Sequence, residues 1–184
     1  YMLHVFGAQV QYDPNKLSAG ITGDTYPMTL KQITLSNPVT VIPDVAFLYC
    51  KGLETLVNDA EVTSIGNYAF LNTGFVEVEI PDTVTTIGVM AYAQSTKIEK
   101  VVIGAGVTEI KQQAFALLES LQSVVFKEGE NDLVIGDEAF LGRFEEGYRG
   151  YVGRSYLGEI KLSNNVVSIG AMAFGFAGTY GEDP

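Results

Sequence analysis

The chain has little of the chemistry that many enzymes and membrane proteins require. Its 184 residues include no tryptophan, one cysteine, one histidine and three arginines. Because Cys50 has no second cysteine to pair with, an internal disulfide is excluded. No apolar run approaches the ~18–20 residues that cross a bilayer, so membrane insertion is not expected. The first ten residues also lack the basic start and small-residue cleavage site of a signal peptide.

Basic charge is also scarce. Lysine and arginine number 11 against 22 aspartates and glutamates, which gives a formal net charge of −11. Such a field repels nucleic acid and anionic lipid, so neither is expected as a partner. Apolar residues make up 47% of the chain and charged residues 18%, and this balance predicts a folded core rather than disorder.

What the chain does contain is a repeat. The hexapeptide I-G-x-x-A-F recurs six times with small changes, and its aromatic residues are separated by 23, 22, 23, 25 and 34 positions. These aromatic residues are Phe47, Phe70, Tyr92, Phe115, Phe140 and Phe174. A second pattern, L-x-x-I-x-I-x-x-x-V, precedes each hexapeptide, and in five of six copies it begins 12 residues before the hexapeptide isoleucine. This fixed register indicates stacked, equivalent structural units.

Each unit predicts one coil of a solenoid. Alternating apolar residues, such as Val78 and Ile80, describe a short strand with one buried face. Because a single coil has no second layer to cover that face, successive coils must stack and pair their strands into a parallel sheet. We therefore expect a right-handed solenoid with this sheet on its concave face and short helical or irregular convex segments. The alanine before each aromatic residue suits a tight convex side, and the glycine after isoleucine predicts a sharp turn.

The repeat also predicts the domain boundaries. Residues 1–29 do not match it and are expected to form an N-terminal cap. Residues 30–184 are expected to form the repeat domain of six repeats, with an insertion at about 141–156. Tyr180 falls where a further strand would begin, so we expect an uncapped last coil and a chain that is a fragment of a longer protein.

The outward side chains of the predicted strands form the first candidate ligand-binding surface. With strands ~4.8 Å apart, six strands give a face roughly 24 Å long. Its valines are expected to form an exposed apolar patch, although valine also simply favours strands. One outward column is Gln32, Thr55, Glu77, Lys100, Ser123 and Glu159, and the other is Thr34, Val57, Glu79, Val102, Val125 and Lys161; the middle four residues of each are the candidate contacts.

The insertion is the second candidate surface. It contains all three arginines of the chain together with three tyrosines. Arginine and tyrosine combine large contact area with directed hydrogen bonds, and they often carry interface energy. The candidate contacts are Arg143, Tyr148, Arg149, Tyr151 and Arg154. The alternative is a solvated loop whose tyrosines fold back on the convex side.

Groups that could carry catalysis or bind metal do not form a recognisable motif. His4 has no G-x-S-x-G serine to act with, and Cys50 occupies a repeat position that suits packing. Glu77 and Glu79 would be too exposed on a flat sheet to serve as the paired acids of a glycosidase. An acidic stretch at 128–138 does not match a calcium-binding loop, and a solvated coil edge is the favoured interpretation. We expect no enzyme activity, no cofactor and no metal.

The repeat resembles the BspA-like, or Treponema-type, leucine-rich repeats. The closest segments are V-E-I-P-D-T-V-T-T-I-G at 78–88 and V-T-S-I-G-N-Y-A-F at 62–70, and the resemblance extends over 30–178. The family's cysteine, three residues after the aromatic, is present only at Cys50. Other copies have Thr73, Ser95, Leu118, Arg143 and Ala177 there. The resemblance implies a curved solenoid of secreted or surface-attached bacterial proteins that are associated with adhesion to host proteins or other cells.

These observations predict a non-enzymatic recognition or adhesion module with a protein ligand, such as a host or other-cell surface protein. The extracellular or cell-surface location is implied by the resemblance alone. One alternative is a stiff structural spacer in a modular surface protein. Another is a carbohydrate-binding surface that uses Tyr148, Tyr151 and Tyr156.

Overall fold

The computed structural model describes residues 29–58, 60–147, 150–153 and 156–177, and for 144–147 and 150–153 it describes the backbone alone. The predicted N-terminal cap, apart from Thr29, lies outside the described residues. So does Tyr180, where a further strand was expected. The described chain forms a solenoid of six stacked coils, each of which contributes one strand to each of two parallel-stranded faces.

The first face is the one predicted from the alternating pattern. In β1, β5, β7 and β9 buried residues alternate with more exposed ones. In β1, for example, Ile33 and Leu35 are buried while Gln32 and Thr34 are exposed. All the strand pairs on this face are parallel. The strands are β1 (Gln32–Leu35), β3 (Thr55–Asn58), β5 (Glu77–Glu79), β7 (Lys100–Ile103), β9 (Ser123–Phe126) and β13 (Glu159–Lys161).

A second parallel sheet covers another side of every coil. The sequence did not predict this sheet, in which the β-branched residues of the V-T-x-I segment form short strands. The irregular convex segments that it did predict are the turns of the hexapeptides. The hexapeptide isoleucines pair from coil to coil, as Ile65 does with Ile87 and Ile87 with Ile110. In chain order the six strands of this continuous sheet are β2 (Val41–Ile42), β4 (Ser64–Ile65), β6 (Thr86–Ile87), β8 (Glu109–Ile110), β10 (Leu133–Ile135) and β14 (Val166–Ile169).

The hexapeptides turn the chain on the remaining side, where coils are also hydrogen-bonded to one another. The Phe70 N–H donates to the Ala91 carbonyl at 2.7 Å, and the Phe115 N–H donates to the Ala139 carbonyl at 2.7 Å. In each hexapeptide the residue before the alanine has a positive φ; for Tyr68, for example, φ is 57°. Left-handed backbone is unfavourable for such residues, so it persists because the bonds between coils fix it.

The predicted row of aromatic rings runs through the core. Consecutive rings stack with centroids 5.0–5.2 Å apart from Phe47 to Phe174, which confirms one continuous internal row. The alanines before them are buried, as predicted for a tight side, except Ala46 in the first coil, which is partly buried. The glycine after the hexapeptide isoleucine has a different structural role from the one predicted. A Cβ on Gly88 would lie 2.5 Å from the Gly66 carbonyl carbon, so glycine permits close stacking of coils rather than a sharp turn.

The insertion has regular structure that the sequence did not predict. Its backbone forms an antiparallel hairpin of β11 (Phe144–Gly147) and β12 (Gly150–Gly153). At its base, the Gly142 N–H donates to the Gly175 carbonyl at 2.8 Å, which ties the insertion to the sixth coil. Among the described residues, no helix is long and apolar enough to span a bilayer.

Candidate binding surface

The outward columns predicted on the first face exist, but they form two blocks. In one block Gln32 pairs with Thr55 and Thr34 pairs with Val57. In the other, which we call the four-strand face (the outward side of β5, β7, β9 and β13), the pairs run without interruption. It has two columns of paired residues. One column is Glu77, Lys100, Ser123 and Glu159, and the other is Glu79, Val102, Val125 and Lys161.

Valines occupy the centre of the four-strand face. Val102 and Val125 are directly paired on neighbouring strands, as the sequence predicted. Both are half-buried rather than exposed, and so is Val57 on the other block. The sequence therefore overestimated the exposure of these valines. The apolar patch is therefore small and surrounded by polar groups.

Charged side chains surround these valines. The Lys127 Nζ lies 3.0 Å from Glu79 Oε1 and 3.3 Å from Asp82 Oδ1, so one lysine of the fifth coil binds two acids of the third. The hydrogen bond with Glu79 raises the pKa of Lys127. A backbone N–H from Ala105 lowers the pKa of the Asp82 carboxyl, and Lys127 adds to that effect. These contacts give the face a fixed arrangement of charge, although each exposed pair adds little stability.

The first sheet is interrupted between the second and third coils. No Cα atom of β3 lies within 8 Å of a Cα atom of β5, all of which the structure describes. Paired strands are ~4.8 Å apart, so the two strands are separated by far more than one spacing. This corrects the predicted continuous face of roughly 24 Å, because the uninterrupted part spans only three spacings, or about 14 Å.

The interruption coincides with one polar residue in an apolar column. Asn58 pairs in register with Leu35, and the third and fourth coils have Ile80 and Ile103 at the same repeat position. The Asn58 Oδ1 instead accepts a hydrogen bond from the Ala60 N–H at 3.3 Å. Asparagine commonly binds its own backbone two residues on, which competes with strand pairing. The shorter polar side chain also fails to fill the space that isoleucine fills in the next coil.

A pocket of about 250 Å³ opens at this interruption. Apolar side chains from both sheets form its walls, including Leu56 and Val78 of the first sheet and Ile42 and Ile65 of the second. Tyr92 also lines it, and that ring is held between Phe70 and Phe115 with centroids 5.0 and 5.2 Å away. The pocket was not predicted, although two departures from the repeat marked it. These are asparagine at position 58 and tyrosine where the other five copies have phenylalanine.

Comparison with known proteins agrees with this architecture. The sequence matches the family described as BspA type leucine rich repeat region, in six copies over residues 25–144. The chain belongs to the BspA-type leucine-rich-repeat family. Leucine-rich repeats of this kind typically mediate protein interactions. Among curated proteins, none matches the chain significantly.

Solved structures of bacterial leucine-rich-repeat proteins are similar to this BspA-type chain. A Treponema pallidum leucine-rich-repeat protein is 25% identical with a TM-score of 0.49, over 78% of this chain and 57% of its own. A leucine-rich cell surface protein of Faecalibacterium prausnitzii is 20% identical with a TM-score of 0.44, over 80% and 45%. The pneumococcal vaccine antigen PcpA is 19% identical with a TM-score of 0.46, over 83% and 50%. The chain thus spans about half the length of these proteins.

The hairpin that interrupts the BspA-type repeats carries the second set of predicted contacts. Arg143 is exposed and forms an ion pair with Glu119 of the preceding coil. Tyr148, Arg149 and Arg154 lie outside the described residues, and for Tyr151 the backbone alone is described. Tyr156, after the hairpin, is 67% exposed. The hairpin candidate therefore remains a prediction, now placed on a regular element.

The reactive groups considered in the sequence hold structural positions in the BspA-type coils. Cys50 is buried, and burial raises the pKa of its thiol to about 11, which keeps it protonated. His4 lies outside the described residues. Within the described part of the chain, no three histidines, cysteines or acids gather as a metal site. In the acidic stretch, the Asp137 carboxylate accepts from the Ala171 N–H at 2.7 Å, and it thereby joins two coils.

Proposed function

We propose that this chain is a non-enzymatic protein-recognition module of a secreted or cell-surface protein, and that its four-strand face and hairpin contact a protein on a host or neighbouring cell. The observation that carries the proposal is the uninterrupted register of the four-strand face. It places Val102 and Val125 side by side, with charged residues such as Glu77 and Lys100 in the next column. A small apolar centre with a polar rim is the usual anatomy of a protein interface.

The hairpin supports the proposal by extending the available surface. Insertions in solenoids commonly emerge on one side and often carry binding residues. Arg143 already forms an ion pair with Glu119, which fixes the base of the hairpin against the preceding coil. The extracellular location is proposed from family membership and from the similarity to a cell surface protein and to a vaccine antigen.

The test measures attachment of protein-coated beads to cultured animal cells, to bacteria and to films of extracellular-matrix protein. Beads that carry the unaltered chain should attach to at least one of these surfaces more than albumin-coated beads do. Val102→Glu should reduce attachment about tenfold or more, because it places a charge at the centre of the interface. Val134→Glu is the matched control, since Val134 is a valine exposed on the second sheet.

The hairpin is tested by replacing 144–155 with a short glycine–serine linker. Gly142 must be kept, because a Cβ there would lie 1.9 Å from the Phe176 carbonyl oxygen and the glycine is therefore part of the coil packing. Weakened attachment without loss of folding would support a contact by the hairpin. A spacer would show no attachment in any variant, and a glycan reader would be displaced by soluble sugars. Either result would contradict the proposal.

A further inference from the structure

The pocket between the second and third coils is lined by a tyrosine at a position where the other copies of the repeat have phenylalanine. Tyr92 is 2% exposed, and its hydroxyl makes no hydrogen bond within the described part of the chain. Both faces of the ring are covered by Phe70 and Phe115. Tyr92 can therefore line the pocket only through the edge of its ring, which includes the hydroxyl. Phenylalanine occupies the same position in the other five copies, so the Tyr92 hydroxyl is a polar feature of this coil alone.

A second polar group lies in the same wall. Asn58 lines the pocket, and its Oδ1 accepts one hydrogen bond from the Ala60 N–H, which leaves a second acceptor site on that oxygen. Two hydrogen-bond acceptors, the Tyr92 hydroxyl and the Asn58 amide, are therefore available below the surface. Apart from Thr55 and three glutamates, the other lining residues are apolar. This combination suits a ligand with an apolar stem and a head group that donates hydrogen bonds.

The size of the pocket limits the ligand to about one side chain. Its volume is about 250 Å³. A cavity of roughly 150 Å³ accommodates benzene, whereas pockets for drug-sized molecules span about 300–1,000 Å³. A single long side chain, with a water molecule on its head group, fits between these limits.

The charge around the mouth selects a cation. Among the described residues that line the pocket are three carboxylates, those of Glu54, Glu77 and Glu79, and no lysine or arginine. Glu54 is bound by Lys31 at 2.6 Å and Glu79 by Lys127 at 3.0 Å. Glu77 forms no ion pair with any described residue, and its paired neighbour Lys100 is not in ion-pair contact with it. A cation that enters the mouth would meet the carboxylate of Glu77, which has no ion-pair partner among the described residues, and two carboxylates that each already pair with a lysine.

We propose that this pocket binds the side chain of one lysine or arginine of a protein partner. Its methylene stem contacts the apolar walls, and its head group donates hydrogen bonds to the Tyr92 hydroxyl and the Asn58 amide oxygen. The three glutamates around the mouth provide the counter-charge. The inference rests on the proposed function only for the source of the side chain, since the preference of the pocket for a cation can be tested with a small probe.

The test is an NMR titration of the ¹⁵N-labelled chain with n-butylammonium, which mimics the lysine side chain, and with neutral n-butanol and anionic butyrate. Butylammonium should shift the amide signals of β3, β5 and Tyr92 in a saturable way. It should bind about two- to fivefold more tightly than butanol, the range expected from an exposed ion pair, and butyrate should not bind. Equal binding of butanol, or shifts spread over the acidic surface, would overturn the proposal.

Three variants locate the site. Asn58→Leu restores the apolar residue of the repeat and should abolish binding because it fills the pocket. Tyr92→Phe restores the aromatic residue of the other copies and should weaken binding without loss of folding, and Glu77→Gln should weaken it about two- to fivefold. Glu109→Gln, an exposed glutamate on the second sheet, should change nothing. Unchanged affinity in Asn58→Leu or Tyr92→Phe would place the probe elsewhere.

A final comparison distinguishes a protein side chain from a free amine. The peptide acetyl-Gly-Lys-Gly-amide should bind at the same amides as butylammonium, and its norleucine counterpart should bind more weakly. If butylammonium binds and the lysine peptide does not, the pocket takes free amines and the protein partner is excluded. The bead test of Val102 is independent of this result, so failure of one does not imply failure of the other.

Discussion

Two neighbouring coil interfaces in this solenoid differ in one respect. Between the third and fourth coils, β5 and β7 pair in full register, and Ile80 and Ile103 at their ends are completely buried. Between the second and third coils, the aromatic rings still stack and the second sheet still pairs, yet β3 and β5 do not. The difference shows that the aromatic row and the second sheet hold the second and third coils together even where β3 and β5 do not pair.

The largest effect is expected at the structure shared by both interfaces. Phe115→Ala should lower the free energy of unfolding by about 3–5 kcal/mol, because a fully buried ring stacked on Tyr92 and Phe140 leaves a cavity. Urea denaturation followed by circular dichroism measures it. Phe174→Ala, in the half-buried ring of the last described coil, should cost less. A loss below about 1 kcal/mol for Phe115→Ala would contradict the role of the row.

A smaller effect is expected where the second and third coils pack closely, on the side away from the unpaired strands β3 and β5. Gly88→Ala should destabilise by about 1–3 kcal/mol, since the new Cβ would lie 2.5 Å from the Gly66 carbonyl carbon in the second coil. Gly158→Ala is the control, because a Cβ there meets nothing nearer than 3.9 Å. Thermal unfolding of the two variants makes the comparison. Equal melting temperatures would mean that the second and third coils are loosely joined throughout.

The smallest effect is expected from a substitution that should let β3 and β5 pair as β5 and β7 do. Asn58→Leu should stabilise the chain by about 1 kcal/mol. Burial of a leucine contributes about 1.5–3 kcal/mol, and the lost hydrogen bond to Ala60 offsets about 0.5–1.5 kcal/mol. Hydrogen exchange should show slower exchange of the β3 and β5 amides. Asn58→Ala, which leaves the pocket empty, should show neither change, and fast exchange in Asn58→Leu would contradict this account of the interruption.

The sequence predicted more of the fold than of the candidate site. The 12-residue register and the aromatic spacing predicted the coils, the first sheet and the ring stack, because these depend on periodic apolar residues alone. The second sheet was missed, since two residues such as Thr86–Ile87 are too few to show alternation. The hairpin was missed because its glycines resembled those of a loop. The Tyr148, Arg149 and Arg154 contacts remain predictions.

The sequence by itself determined the repeat, the inward and outward sides of its strands, and the absence of an internal disulfide. These follow from residue type and spacing, which act locally in each coil. Only the tertiary structure decided that β3 and β5 separate, that the valines are half-buried, and that Asn58 and Tyr92 share one pocket. Each of those outcomes depends on residues about 20–35 positions apart that meet when coils stack, and contact between coils depends on volume and hydrogen bonding that no single repeat contains.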